Sequence, residues 1–477
     1  MFSLNKLSIA VALVLLSGCQ LLGPDYQKPA SILPSQYDEA SNVSNLTVPA
    51  DWWTLYQDAE LNDLMSKALK NNKDLKVAAA RIEEADAYLQ EVGAALFPQV
   101  NLDAGGNRSR ISETTATRYP AGTPFERNNY NAKLSTSFEL DFWGKLRRAK
   151  ESARAQALAT RYAGDTIGLS LTGLVASNYL LLRSLDAQIN VSNDSLHNRD
   201  ESLALTQRRL AGGASSALDV AQAEVASSNL KAQIVDLVRQ RALVQHQLAV
   251  LTGDLSLKVA VGDLTNMPTP PVPPAGLPSS LLEARPDVRQ AEQSLIAANA
   301  KIGVAKAALY PSISLTASLG GESAELGDVL KSASRIWGAG LSLNLPIFDA
   351  GRLNSRVDQA AAQQKQMLFS YENSVQTAFR EVDDALVSVK QNTEREAALD
   401  QSRQSAQRAL QISENRYKAG YSAYLDVLDS QRVYNDAALN YIQSRQARLV
   451  SSVDLFKALG GGWVAKEKSM SQAAATP

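Results

Sequence analysis

The stretch Tyr130–Phe142, YNAKLSTSFELDF, alternates without a break: Tyr130, Ala132, Leu134, Thr136, Phe138, Leu140 and Phe142 share one parity, and Asn131, Lys133, Ser135, Ser137, Glu139 and Asp141 the other. Successive side chains of a strand point to opposite faces, so the stretch predicts a ribbon that is apolar on one side and polar on the other. Three more segments carry the pattern. Val100, Leu102 and Ala104 alternate with Asn101 and Asp103; Ile313, Leu315, Ala317 and Leu319 alternate with Ser312, Ser314, Thr316 and Ser318; Ala339, Leu341, Leu343 and Leu345 alternate with Gly338, Gly340, Ser342 and Asn344. Four two-faced strands are therefore expected.

Outside them the apolar spacing is helical. Proline marks where helices cannot run, because it costs about 3 kcal/mol in a helix interior. No proline lies between Phe125 and Met267 or between Ile347 and Thr476, whereas six fall in the stretch from Pro268 to Pro278. Very long helices are predicted at Lys145–Ala211 and Arg352–Ala419, each on the order of 100 Å at about 1.5 Å per residue. Shorter ones are predicted at Leu61–Leu96 and Ser216–Leu251, with a further helix at 423–459.

The pattern occurs twice. Asp74 and Pro98 recur as Asp287 and Pro311 at an offset of 213 residues, and Arg209, Gly213 and Asp219 recur as Arg416, Gly420 and Asp426 at an offset of 207. The first copy carries an insertion, which Pro120, Gly122 and Pro124 place in its hairpin loop. The chain thus divides into a signal (1–18), a tether (19–60), a first repeat (61–253), a Pro-rich linker (254–281), a second repeat (282–460) and a tail (461–477).

Met1–Gly18 has one cation, Lys6, and an apolar run ending in small residues before Cys19, which is a secretory signal too short to span a bilayer as a mature helix. Leu16-Ser17-Gly18-Cys19 reads as a lipobox, making Cys19, the sole cysteine, the acylated N-terminus. More than one acyl chain gives stable tethering. A single cysteine excludes a disulfide framework and a multi-Cys metal site. With 48 Lys+Arg against 49 Asp+Glu there is no basic excess for nucleic acid. His197 and His246, the two histidines, fall in helices without a second ligand nearby, so neither a metal nor a catalytic role is assigned. No cofactor fingerprint or nucleophile motif is present, and no enzyme activity is expected.

Two-faced strands admit a soluble sandwich or a face turned to lipid. With no transmembrane helix in the mature sequence, a membrane crossing requires a closed β-barrel. Strands of about 10 to 13 residues have the length to cross at a tilt of about 45°. Known barrels need about eight strands or more, so four per chain must be shared between copies.

Together the lipobox, the tether GPDYQKPASILPSQY, DWWTLYQDAELNDLMSKALKNNKDL, the joints FELDFWGKLR and LPIFDAGRLN, the paired turns and the terminal ALGGGW resemble the TolC-like outer-membrane factor family, in its lipoprotein branch serving resistance-nodulation-division (RND) pumps. The resemblance spans essentially the mature chain. It implies an α+β membrane protein: a homotrimer whose 12-stranded outer-membrane β-barrel continues into a long periplasmic α-helical barrel. It also implies a passive exit duct that docks a periplasmic membrane-fusion adaptor and, through it, an inner-membrane RND pump.

By matching to the family, the turns containing Arg209, Gly213 and Ser216 and Arg416, Gly420 and Ser422 lie at the periplasmic tip and contact the adaptor. Asp426 and Asp429 match an acidic ring narrowing the tunnel, and Asp219 with Tyr417 a link between neighbouring helices. An arginine that joins this linkage in some relatives is replaced by Ser422. Gly213 and Gly420 suit a helix C-terminus and Ser216 or Ser422 an N-cap. The same architecture also serves metal-cation efflux and protein secretion, and a non-conducting scaffold bracing the envelope is the rival from another class.

Overall fold

The computed structural model describes residues 21–30, 33–34, 37, 48–114, 120, 122, 124–273 and 284–463. The signal and Cys19 lie outside the described residues. Two compact units divide the remainder. One contains Ile82–Thr160 and Ala291–Tyr371 with the described residues before Ala30; the other comprises those within Ala30–Arg81, Arg161–Gln290 and Glu372–Pro477.

The first unit holds strands β1 (Gln99–Arg110), β2 (Glu126–Leu140), β3 (Ser312–Ser323) and β4 (Arg335–Asn344), in one antiparallel sheet of order β1-β2-β3-β4. The register aligns like with like. Leu102 pairs with Leu134, Leu134 with Leu319 and Leu319 with Trp337, an apolar row across all four strands. On the opposite parity Asp103 faces Lys133 and accepts from the Ser135 hydroxyl. Within one chain the apolar row is bare: Leu102 is 72% exposed, Leu319 58% and Trp337 81%. The Asp25 carboxylate anchors the N-terminal segment to Arg148 at 2.6 Å, and the Pro24 carbonyl accepts from Asn299 at 2.8 Å.

Helices follow the strands through acidic caps. At the start of α3 (Lys145–Ala211) the Asp141 carboxylate accepts from the backbone N–H groups of Leu146 (3.0 Å) and Arg147 (2.9 Å). At the start of α6 (Arg352–Lys418) Asp349 does the same for Gly351 and Leu353. A carboxylate there satisfies otherwise unpaired donors and complements the helix dipole. Each helix has 67 residues, so each is about 100 Å long. The remaining α-helices among the described residues are α1 (Ala59–Asn71), α2 (Lys73–Ala94), α4 (Ala217–Thr252), α5 (Pro286–Ala307) and α7 (Tyr424–Ala458).

The first of these corrects the sequence reading, which ran one helix from Leu61 to Leu96. The chain breaks at Asn72, whose ψ of 136° leaves the helical region. Its side-chain oxygen caps α2 by accepting from Asp74 (2.9 Å) and Leu75 (3.2 Å), and its amide donates to the Leu251 carbonyl at 3.0 Å. Asparagine competes for backbone partners in this way, which is why it favours caps over helix interiors.

The second unit has the larger core. Leu61, Leu64, Met65 and Ala68 of α1 bury against Val175, Tyr179 and Leu182 of α3, Leu248 of α4 and Leu449, Val453 and Phe456 of α7. Trp52 stacks on Phe456 with ring centroids 5.3 Å apart. Tyr56, fully buried, shares a hydrogen bond with the Ser452 hydroxyl at 2.7 Å, and burial holds its phenol protonated. The linker is fastened by charge: Arg445 donates to the carbonyls of Leu264 (3.2 Å) and Met267 (2.6 Å) and is itself held by Glu396 at 2.8 Å. Asp186 accepts from the Gly262 N–H at 3.1 Å and pairs with Arg241. Buried carboxylates and guanidiniums persist only when paired in this way.

Candidate functional site

Two regions of the chain carry chemistry that packing alone does not use. The first is the sheet. Its strands run 10 to 15 residues, or about 33 to 50 Å at 3.3–3.4 Å per residue, enough to cross a hydrocarbon layer of about 30 Å when tilted. Among the described residues no helix is long and apolar enough to cross a membrane. β1 and β4 each present an unpaired edge in a single chain. Open edges are not tolerated in lipid, so an apolar-faced sheet with two of them can span only after closing against other strands.

The second region lies in the other unit, where two turns join each long helix to a short one. At the end of α3, Gly213 takes φ +74°, its N–H donating to the Leu210 carbonyl (2.9 Å) while the Ala214 N–H reaches Arg209 (2.7 Å). At the end of α6, Gly420 takes φ +81° and repeats the geometry, with its N–H on Tyr417 (3.0 Å) and that of Tyr421 on Arg416 (2.9 Å). Positive φ at the helix C-terminus closes the last carbonyls and suits glycine.

The starts of the short helices differ. Ser216 caps α4 in a full capping box: its hydroxyl accepts from the Asp219 N–H (3.1 Å), and the Asp219 carboxylate accepts from the Ser216 N–H (2.9 Å) and the Ser215 hydroxyl (2.8 Å). Those donors hold the Asp219 carboxyl below the usual carboxylate range, the Ser216 N–H foremost. At α7 the equivalent position is Ala423, which has no side-chain cap. Ser422, a candidate cap by sequence, is not one; its hydroxyl is buried without a hydrogen-bond partner among the described residues. The 207-residue offset carries the signal for this, since it pairs Ser216 with Ala423 and Ser215 with Ser422. The consequence falls on the carboxylates: Asp219 is consumed by its cap, whereas Asp426, its counterpart, is exposed and has no side-chain hydrogen bond or ion pair among the described residues.

Asp429 stands one turn further along α7, also exposed, and pairs with Arg432 at 2.8 Å; Arg432 lies 3.6 Å from Asp436 as well. Sequence reasoning missed Arg432, although a cation three residues after Asp429 on a helix is a sufficient signal. With both partners 63% exposed, the pair adds little stability but sets the local charge.

The link between Asp219 and Tyr417 is not formed within the chain: no hydrogen bond joins them among the described residues. Tyr417 instead packs against Tyr424 with the rings tilted by 48° and centroids 5.4 Å apart, and the Arg209 guanidinium carbon lies 4.4 Å from its ring centroid. Both terminal nitrogens of Arg209 also lie 3.4 Å from the Tyr417 carbonyl. Tyr417, Tyr424, Val427 and Ala223 form a small buried cluster, and burial pushes the Tyr424 phenol up to about 12. Arg416 presents its carbonyl to the turn. Beside the cluster a groove of about 570 Å³ runs between α4 and α7, with buried Arg199 in its wall. Burial lowers the pKa of that guanidinium.

His197 lies on the surface of α3, 3.2 Å from Glu201, and His246 is an exposed position of α4. No cluster of three or more potential metal ligands occurs among the described residues.

An apolar-faced four-stranded sheet with both edges open, joined in sequence to two 67-residue helices, defines an outer-membrane channel protein. The chain belongs to the outer membrane efflux protein family, whose profile matches residues 64–254 and 277–461. It is 34% identical over 466 residues to the solvent efflux pump outer membrane protein SrpC of Pseudomonas putida, covering 95% of this chain and 97% of that protein. To the cation efflux system protein CusC of Escherichia coli O6:H1 it is 33% identical over 463 residues, covering 96% and 98%. Its fold matches the crystal structure of the Campylobacter jejuni CmeC outer membrane channel with a TM-score of 0.88 at 26% identity, covering 95% and 98%. The protein is an efflux channel component of the outer membrane that extends into the periplasm.

Proposed function

We propose that this chain forms, as a homotrimer, the passive exit duct of a tripartite multidrug efflux system. Three sheets close edge to edge into a 12-stranded barrel, and the long helices of three copies form the wall of a periplasmic tunnel. One observation carries the reading: an apolar sheet face left bare in the single chain, bordered by the unpaired edges of β1 and β4. Lipid covers the face and neighbouring copies cover the edges. Two copies would supply only eight strands, a lumen that side chains fill, whereas three leave room for a channel. Energy comes from an inner-membrane RND pump reached through a periplasmic adaptor, which the turns containing Arg209, Gly213, Ser216, Arg416, Gly420 and Ser422 contact.

Asp426 and Asp429 form the acidic constriction at the tip, and threefold repetition makes each a ring that attracts cations and repels itself. Cys19 carries the lipid anchor at the head of the 19–60 tether. The cargo is apolar or amphiphilic drugs and solvents. Similarity to a cation efflux channel at nearly the same identity supports cations as a second reading.

Planar-bilayer recording of the purified trimer tests the duct, with Asp426→Ala combined with Asp429→Ala expected to raise conductance and reduce cation preference. No conductance from a correctly assembled trimer, wild type or variant, would favour a scaffold. Drug and metal-cation accumulation in a deletion strain separates the two cargo readings.

A further inference from the structure

The apolar parity of the sheet carries charge at one end only. All four strands meet helices at the same end: β1 follows α2, β2 leads into α3, β3 follows α5 and β4 leads into α6. From that end the parity is uncharged as far as Gly106 on β1, Asn128 on β2, Ser323 on β3 and Trp337 on β4. Its charged residues are Arg108, Arg110, Glu126 and Arg335, and all four stand at the opposite end.

Three of the four are guanidiniums, and the nearby carboxylates do not cancel them. Glu126 pairs with Arg108 at 2.5 Å and lies 3.9 Å from Arg110, which also meets Glu113 of the following loop at 3.0 Å. In the loop between β3 and β4, Asp328 is taken by Lys331 at 2.5 Å. The Arg335 guanidinium is exposed and has no hydrogen bond or ion pair among the described residues.

Depth places these cations. Arg108 stands nine residues from Gln99, where β1 begins, and Arg335 nine residues from Asn344, where β4 ends. At about 3.4 Å per residue and a tilt of about 45°, nine residues climb about 22 Å, near the far edge of an apolar band about 25 Å tall. Trp337, 81% exposed and two residues nearer the helices, occupies the level of an aromatic girdle.

We propose that each seam between neighbouring copies binds a phosphorylated glycolipid of the outward leaflet, its phosphates held by Arg335 of one copy and Arg108 and Arg110 of the next. The inference rests on the reading of the sheet as one third of a shared barrel, and adds to it the headgroup and the residues that recognise it. Closure sets β4 of one copy beside β1 of the next, about 4.8 Å away, with Arg335 and Arg108 at one height. Like charges so placed repel unless an anion lies between them. The outward leaflet of an outer membrane is built of a phosphorylated glycolipid, and the planar guanidinium fork matches phosphate. Its acyl chains lie on the apolar row that contains Leu319 and Trp337.

The test is native mass spectrometry of full-length trimer reconstituted with bisphosphorylated lipid A, with the same lipid dephosphorylated, or with phosphatidylglycerol. Wild type is expected to retain the bisphosphorylated form best. Arg335→Gln is expected to weaken that retention about fivefold, and Arg108→Gln with Arg110→Gln further, at about fivefold per guanidinium. Lys133→Gln removes a cation from the other face of the sheet and is expected to change nothing. Wild-type trimer that retains the three lipids equally, or arginine variants that retain lipid A as wild type does, would overturn the seam site and leave the barrel standing. Displacement of lipid A by inorganic phosphate would overturn the lipid as occupant. Absence of trimer in lipid, or equal tolerance of Leu319→Arg and Ser318→Arg, would overturn the barrel and the seam with it. Should Arg335→Gln not assemble, the Arg108/Arg110 variant decides by the same criterion.

Discussion

Replacing Leu319 by arginine tests whether the apolar row of the sheet meets lipid. Leu319 sits in β3 opposite Leu134 and Trp337 and is 58% exposed in the single chain. The middle of β3 falls near Ala317. Two residues at about 3.4 Å each and a tilt of about 45° put Leu319 about 5 Å from the mid-plane. A charge there costs about 2 to 3 kcal/mol per chain, towards the lower part of the range for arginine on a lipid face. Three copies lose about 6 to 9 kcal/mol, comparable with the whole stability of an ordinary domain. Ser318→Arg, one residue away on the polar face, moves the same charge to the other side of the sheet and is expected to cost under about 1 kcal/mol, typical of a surface substitution. The assay is the fraction of heat-resistant trimer recovered from lipid vesicles across a urea series. Equal losses in the two variants would refute the assignment of the row to lipid, and a more damaging Ser318→Arg would invert it.

Ala423→Ser supplies the cap that α7 lacks and is expected to draw Asp426 into a capping box like that of Asp219; caps of this type contribute about 0.5–2 kcal/mol. The freed charge is thereby engaged, so cation-over-anion preference, read from reversal potentials under a salt gradient, falls without any acidic residue being removed. The Asp219 carboxyl, depressed in the folded chain, contributes stability that is present above its unfolded pKa of about 4 and lost as pH falls through the folded value. Hydrogen exchange of the first turn of α4 should therefore accelerate only below about pH 4, and Asp219→Asn should remove that dependence. Cys19→Ser is expected to abolish acylation, by mass spectrometry, while trimers still form, since the barrel supplies its own membrane anchorage.

What the sequence determines by itself is whatever repeats over short distances. Period-two alternation marks a strand from Tyr130 whichever partner it finds, although it runs on to Phe142 where the strand ends at Leu140 in a turn, and the voids between prolines fix where α3 and α6 can run. The 207-residue offset between Arg209 and Arg416 shows two turns of one design. Each is a local constraint, set by side-chain direction, ring geometry or backbone conformation, so each survives without knowledge of the rest of the chain. The family resemblance adds the roles of the acidic residues and leaves their surroundings open.

The tertiary structure decides what depends on residues far apart in sequence. Asn72 ends a helix that periodicity continues, because its amide finds the Leu251 carbonyl and its oxygen recaps the chain. Asp219 and Asp426 occupy the same place in the two repeats, yet among the described residues one carboxylate is bound and the other is not, because the cap is Ser216 in one and Ala423 in the other. Arg209 turns to the ring of Tyr417, 208 residues on, where the resemblance alone pointed to Asp219. Periodicity shows which face of an element is apolar. Which side chain reaches which partner follows only when separate elements are brought within the few ångströms over which hydrogen bonds and ring contacts act.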